Sequence, residues 1–158
     1  MASHPNSVRR IAAVPGAHPA YPPAAAGENA RMDDLRRCRF SVSDDELELA
    51  GPPTALRALS RRLRQGTESI AIADGSLVQE VTSGPLIVGF RDPATLHLSG
   101  GREYLDIVWD ALDGVAEQAE SGDERGVNPH VHIEYFPGDE YRSPRSVPLV
   151  IVADWPAH

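Results

Sequence analysis

Polar and apolar residues alternate in eight short stretches of the chain, and two longer stretches repeat apolar residues at intervals of three or four. Alternation places successive side chains on opposite faces of a β-strand, whereas the longer interval places them on one side of an α-helix. The first pattern therefore predicts strands and the second predicts helices. The predicted strands are residues 38–42, 46–50, 68–73, 76–81, 86–90, 95–99, 130–136 and 147–153.

Two amphipathic helices lie between these strands. The first begins at Pro52-Pro53 and ends near Gly66, because proline is tolerated in a first helical turn and glycine commonly follows the last one. The second runs from about Arg102 to Glu120. The polar face of the first helix is basic and that of the second is acidic, so the two faces would adjoin if the helices lie side by side. The pattern predicts an α+β fold, a mostly antiparallel sheet of about 6–8 strands with two helices packed on one face and the other face open.

Turn residues set the boundaries of several strands. Asp74-Gly75 is a strong signal for a two-residue hairpin loop between the strands that flank it. Pro148 lacks an amide donor, so we expect the last strand to begin at a sheet edge or to pair only beyond that residue.

The order strand, strand, helix, strand, strand occurs twice, which raises the question of an internal duplication. The two halves register at a spacing of 49 residues. Of the five identities at this spacing between residues 47 and 63, four are core-facing leucines, which two unrelated amphipathic units could also share, so both origins remain open. At this spacing Leu47, Leu49, Gly51, Leu56 and Leu63 fall on Leu96, Leu98, Gly100, Leu105 and Leu112.

Residues 1–36 differ in composition from the rest of the chain. They are rich in alanine and proline and show no amphipathic period, so they cannot bury enough apolar surface to offset the entropy of ordering. We therefore expect a disordered tail over residues 1–36 and a single α+β domain over residues 37–158. Met32 is the only methionine after Met1, and we hypothesise that it is the natural start.

The net charge limits the classes of partner, and the cysteine content indicates the redox compartment. A net charge of −8 argues against binding to nucleic acid or an anionic membrane, and it would steer a basic protein toward the chain. The same charge is also a common solubility feature. The single cysteine, Cys38, excludes an internal disulfide and fits a reducing compartment. With no apolar run of membrane-spanning length, we expect a cytoplasmic protein.

The chemistry-bearing residues cluster near the C-terminal end of the chain. In the stretch His130 to Phe136, alternation places His130, His132 and Glu134 on one face of a strand. If the leucines of two other strands point to the helices, Glu46, Glu48 and His97 share that open face. Such a face could hold a divalent metal, contact a partner, or carry no chemistry at all.

The loop that follows this strand contains Tyr141 and Arg142, two residue types that often dominate the energetics of interfaces. An ordinary solvated hairpin loop is the alternative interpretation. No spacing in the chain matches a nucleotide-binding loop, and Cys38 has no histidine near it in sequence. We therefore predict no catalytic residues and no cofactor.

Three stretches of the chain resemble a known family. They are Thr95-Leu-His-Leu-Ser-Gly, His130-Val-His-Ile-Glu-Tyr-Phe and Ser146-Val-Pro-Leu-Val-Ile. They look like a family of bacterial polymorphic-toxin immunity proteins, catalogued as immunity protein thirty-two, and the resemblance covers roughly residues 38–155. It implies a small cytoplasmic α+β protein, encoded beside a toxin, that neutralises this toxin by occluding its active site or binding nearby.

The resemblance and the open polar face together predict a binding module whose partner is a cognate toxin with a basic surface. One alternative is a small metal-dependent enzyme with His130, His132 and Glu134 as ligands and His97 as a fourth ligand or general base. A domain that pairs with itself through its exposed sheet is another. The predicted partner-binding residues are His130, His132, Glu134, Tyr141, Arg142 and His97.

Overall fold

The computed structural model describes residues 32–122 and 128–154. Residues 1–31, which make up most of the predicted disordered tail and include Met1, lie outside these residues, so the tail and the start at Met32 stay predictions. Within the described part of the predicted tail, residues 32–35 are helical and Leu35 is 4% exposed in the core. The elements are β1 (Arg39–Ser43), β2 (Glu46–Gly51), α1 (Pro53–Arg64), β3 (Ser69–Ile72), β4 (Gly75–Val81), β5 (Ile87–Arg91), β6 (Thr95–Gly100), α2 (Arg102–Glu120), β7 (His130–Ile133) and β8 (Leu149–Ala153).

The described strands form two four-stranded sheets. Sheet I has the order β1-β2-β8-β7 and sheet II has the order β3-β4-β6-β5. In each sheet two antiparallel pairs are joined by one central parallel pair, β2 with β8 and β4 with β6. The α+β class, the strand number and the mostly antiparallel pairing are confirmed. The strands are divided between two sheets, however, and do not form the one sheet that was predicted.

Each sheet is built from two strands of the first half of the chain and two strands of the second half. The first half supplies the β1–β2 hairpin to sheet I and the β3–β4 hairpin to sheet II, and the second half supplies the other hairpin of each sheet. The two predicted strand-strand-helix-strand-strand units are therefore present and interleaved. Ser60 and Trp109, which are 49 residues apart, meet where the helices cross, with the Ser60 hydroxyl donating to the Trp109 carbonyl at 3.2 Å. Whether the units share an ancestor stays open.

One hydrophobic core joins both sheets to both helices. Alternate leucines of β2 and β6 are completely buried, as the sequence pattern predicted for residues that face the helices. The buried Gln79 ties sheet II to both helices. Its side-chain amide donates to the Leu63 carbonyl at 3.0 Å and accepts from the Trp109 indole at 2.8 Å. The leucines are Leu47, Leu49, Leu96 and Leu98.

The β3–β4 hairpin has its loop one residue earlier than the sequence predicted. Ile72 pairs with Gly75, so the two loop residues are Ala73 and Asp74, and Gly75 is the first residue of β4. The reason for glycine at this position is a close approach. A Cβ on Gly75 would lie 2.0 Å from the Ala94 carbonyl oxygen. The hairpin prediction was correct, but its loop residues were wrong.

The polar faces of the helices adjoin as expected. The Arg64 guanidinium of α1 lies 2.9 Å from Asp106, 2.7 Å from Asp110 and 3.1 Å from Asp113 of α2. These side chains are between 36% and 69% exposed, so each pair contributes only about 0–1 kcal/mol. Within the described residues, neither helix combines the length and the apolar character needed to cross a bilayer.

Cys38 lies in the core, and Pro148 lies directly before β8. Cys38 is completely buried, and this burial raises the pKa of its thiol to about 12, so the thiol stays protonated and acts as a small hydrophobic side chain. The pairing of β8 begins at Leu149, directly after Pro148. Pro148 uses its carbonyl, which accepts from the Leu47 amide at 2.9 Å.

Candidate functional site

His130 and His132 are exposed on the face of sheet I that points away from the helices. The residues that alternate with them point inward, because Ile133 is 2% exposed and Val131 packs against the core. This is the orientation that the alternating pattern predicted. The two imidazoles therefore lie on the outer surface, while the inner face of β7 packs against the core.

A shallow depression of about 530 Å³ runs across this face. Its floor is formed by Val150 and Val152 of β8, the strand between β2 and β7. Glu48 pairs with Val150, which pairs with His132, so these three side chains form one row across the sheet. We call this the histidine depression, and it is lined by Glu46, Glu48, Asn128, His130, His132, Val150 and Val152.

The two walls of the histidine depression carry different chemistry. Two carboxylates project from β2 and two imidazoles from β7, with two strand spacings, or about 10 Å, between them. An apolar floor flanked by carboxylates suits an arginine or lysine side chain, whose aliphatic stem can lie on the valines while its cationic group meets the acids. The depression is therefore better suited to a basic partner than to an acidic one.

A hydrogen bond orients one of the imidazoles. The Nδ1 atom of His130 lies 3.0 Å from the carbonyl oxygen of Asn128. A carbonyl can only accept, so Nδ1 carries the proton and Nε2 is left for a partner. The rings of His130 and His132 meet edge to face, with their centroids 5.3 Å apart. Contact between the two rings limits the positions that either can adopt.

The structure supplies few donors for the proposed metal site. Glu134 follows the last residue of β7, is half-buried, and does not line the histidine depression. Across residues 32–122 and 128–154, no three histidine, cysteine or acidic side chains converge closely enough to hold a metal ion. The predicted set of His130, His132 and Glu134 is therefore reduced to two imidazoles.

His97 does not share a face with the other histidines. It lies in β6 of sheet II, where it is 6% exposed and its Nε2 is 3.5 Å from a Glu80 carboxylate oxygen. It lines a separate depression of about 380 Å³ that also contains Glu68 and Arg91. The expectation that His97 shares one open sheet face with His130 is wrong, because it assumed that β6 and β7 belong to one sheet.

The buried position of His97 predicts how the free energy of unfolding depends on pH. Burial, followed by the nearby Arg91 guanidinium, lowers the pKa of His97 below its usual value of 6.5. The unfolded state therefore binds more protons than the folded state as the pH falls through 6.5, and the free energy of unfolding decreases. We expect His97→Gln to lose less stability than the wild type between about pH 7.5 and pH 5.5. Urea denaturation at both pH values measures this, and equal losses would contradict it.

Tyr141 and Arg142 lie outside the histidine depression. The backbone of Tyr141 accepts a hydrogen bond from the Leu86 amide at 2.9 Å, which fixes this loop against the start of β5 in sheet II. The Tyr141 ring is 58% exposed and meets the edge of Tyr104 in α2, with centroids 6.1 Å apart. The guanidinium of Arg142 donates to Asp139 at 2.9 Å. Tyr141 therefore lies beside the start of α2, and neither residue lines the histidine depression.

The acids of the depression were placed on the open face by the sequence pattern but were not included among the predicted binding residues. Glu46 and Glu48 line the same depression as the histidines because β2 and β7 lie on the two sides of β8. Strand order is not encoded in local alternation, so the shared site of these acids and the histidines could not be predicted from the sequence. The alternation within β2 was the available signal, and it identified their face correctly.

Comparison with known proteins gave a match to one family model. Searches of curated proteins and of solved structures found no match to the chain. Residues 95–154, which include β6, α2, β7 and β8, match the model of the family described as Immunity protein 32. This match confirms, over that part of the chain, the resemblance predicted from the sequence, and it supports a function in immunity.

Proposed function

We propose that the protein neutralises a toxin by binding it through the histidine depression on sheet I. The observation that carries the proposal is the composition of this surface, in which two carboxylates and two imidazoles surround a valine floor on an open sheet face. The family match favours an inhibitor over an enzyme. An inhibitor needs an accessible and well-ordered surface, and a sheet supported by the core provides one.

The charge of the protein supports a basic partner. The chain has a net charge of −8, and Glu46 and Glu48 concentrate negative charge at one wall of the depression. Opposite charge accelerates encounter and suppresses binding to wrong partners. We therefore propose that the toxin presents arginine or lysine side chains to β2, and that the imidazoles of β7 complete the contact.

The experiment uses the purified protein encoded by the reading frame adjacent to this gene. Titration calorimetry should show binding, and the inhibitor should restore growth to cells that express the toxin. We expect His130→Ala combined with His132→Ala to weaken binding by about tenfold, since two exposed rings lose their contacts at the interface. The readout is the dissociation constant.

The control is a second double alanine variant, Glu117→Ala with Gln118→Ala. Both residues are exposed on α2 and neither lines the histidine depression. We expect the dissociation constant of this variant to match that of the wild type. Equal affinities for all three proteins would remove the histidines from the interface, and the absence of any binding would contradict the proposed function.

A further inference from the structure

The exposed edge of β7 gives the histidine depression a second means of recognition. Among the described strands, β7 is the outermost one of sheet I, and it pairs with β8 on one side only. An outermost strand can direct half of its backbone amides and carbonyls away from the sheet. Which residues do so follows from the hydrogen-bonding pattern of the β7–β8 pair.

The pattern can be worked out from one hydrogen bond. The Ala153 amide donates to the Pro129 carbonyl at 2.9 Å, so these two opposed residues form a hydrogen-bonded pair. Hydrogen-bonded and non-hydrogen-bonded pairs alternate along an antiparallel ladder. Val131 and Ile133 are thus in hydrogen-bonded pairs with β8, and the backbone groups of His130 and His132 point outward.

The edge of another outer strand, β5, is covered. Along β5 of sheet II, the chain between residues 141 and 147 occupies the edge, with the Ser143 amide donating to the Leu86 carbonyl and the Val147 amide donating to the Val88 carbonyl, both at 2.8 Å. Within residues 32–122 and 128–154, no backbone group pairs with the outward amides of β7. The same two residues that form a wall of the histidine depression therefore offer an open strand edge.

We propose that the toxin adds an extended strand to β7, with its backbone pairing with His130 and His132. Such a strand can form up to about four backbone hydrogen bonds with these two residues. Its alternate side chains would lie beside the imidazoles, on the same face as the histidine depression. This inference rests on the proposed function and names the form of the partner segment that this function requires.

A second copy of this chain is a less suitable occupant of the edge. Pairing of β7 with β7 would engage a strand of only four residues and would bring together two acidic proteins, each with a net charge of −8. Like charges placed opposite each other in an interface oppose association. A basic toxin has no such penalty, and its other side chains can reach the adjacent carboxylates.

The test compares two substitutions at one position. His132→Ala removes the imidazole and keeps the outward amide, whereas His132→Pro removes both. Neither substitution removes a hydrogen bond to β8, because the amide of residue 132 points away from it, and proline is tolerated at such edge positions. We expect His132→Pro to bind the protein encoded by the adjacent reading frame at least about tenfold more weakly than His132→Ala.

The matched control is Ala71→Pro in β3, an outer strand of sheet II. The backbone amide of Gln79 donates to the Glu68 carbonyl at 2.8 Å, so these opposed residues form a hydrogen-bonded pair. Alternation along the β3–β4 ladder then makes the backbone amide of Ala71 point outward as well. The control therefore makes the same backbone change on the other sheet. We expect it to bind as tightly as the wild type.

Hydrogen exchange gives a second readout that does not depend on the folding of a proline variant. In the wild type, the amides of His130 and His132 should gain protection when the toxin binds, whereas those of Val131 and Ile133 should be protected before and after. Equal affinities for His132→Pro and His132→Ala, or no gain in protection, would overturn strand addition and leave the proposed function standing.

Two other outcomes are separable from these. If the protein encoded by the adjacent reading frame does not bind at all, both the proposed function and strand addition fall. If the amides of His130 and His132 gain protection as the concentration of the free protein rises, with a matching increase in mass by light scattering, a second copy occupies the edge. That result would overturn the assignment of the edge to the toxin.

Discussion

We expect the replacement of Glu48 by arginine to weaken the proposed binding of a toxin by at least about 100-fold. Glu48 is exposed in β2 and lines the histidine depression across the valine floor from His132. If a basic side chain of the toxin lies on this floor, the substitution removes its counter-charge and opposes it with a like charge. Such a juxtaposition costs several kcal/mol, and each 1.4 kcal/mol changes the dissociation constant by about tenfold. Calorimetry or surface binding kinetics measures the loss.

The control is Glu117→Arg, which changes the net charge of the protein by the same amount. Glu117 is exposed on α2 and does not line the depression. Electrostatic steering of a partner depends on the total charge of the protein, so Glu117→Arg should lower the association rate only slightly. Added salt should reduce the difference in association rate between this variant and the wild type. Equal losses of affinity in the two variants would show that only the overall charge of the protein matters, and not the position of Glu48.

The largest loss of stability is expected for Gly75→Ala. The new Cβ would lie 2.0 Å from the carbonyl oxygen of Ala94 and 2.8 Å from the Ala94 Cβ. The same carbonyl accepts a hydrogen bond from the Ser76 amide at 3.0 Å, so the backbone of Ala94 cannot move away without losing this bond. We expect the free energy of unfolding to decrease by about 3 kcal/mol, measured by urea denaturation.

Gly89→Ala is the matched control for this substitution. Gly89 lies in β5 of the same sheet, and a Cβ there would meet no atom within 4 Å among the described residues. Glycine in a strand carries an entropic cost, so alanine should leave the stability unchanged or raise it slightly. Similar losses in both variants would mean that the contact with Ala94 is not what requires glycine at residue 75.

The elements of this fold could be predicted from the sequence because they depend on local patterns. Alternation identified the strands and the direction of their side chains, including the outward direction of His130 and His132. The apolar period identified both helices close to their observed ends. These predictions succeeded because the interval between apolar residues is set by the geometry of each element alone.

The arrangement of the strands could not be predicted in this way. Leu47 of β2 pairs with Leu149 of β8, a partner that lies in the other half of the chain. Any of the strands could satisfy the hydrophobic pattern of β2 equally well, so the pattern does not select one. For this reason we predicted from the sequence that His97 shares a sheet face with His130, and Glu48 was not among the predicted binding residues.

The loop residues show a different limit. Tyr141 and Arg142 were selected for their residue types, but the position of a loop depends on its hydrogen bonds to distant strands. The Leu86 amide holds this loop on sheet II, away from the histidine depression. The Gly75 position had the same difficulty, since the reason for glycine there is a contact with Ala94 and not the geometry of its own turn.

The central position of β8 has a consequence for the synthesis of the protein. β8 inserts between β2 and β7, and its valines form the floor of the histidine depression. A growing chain on the ribosome has both walls of this surface before it has the strand that holds them together. The proposed recognition of a toxin by this surface therefore requires that residue 153 has left the exit tunnel, because a shorter chain lacks the floor of the histidine depression.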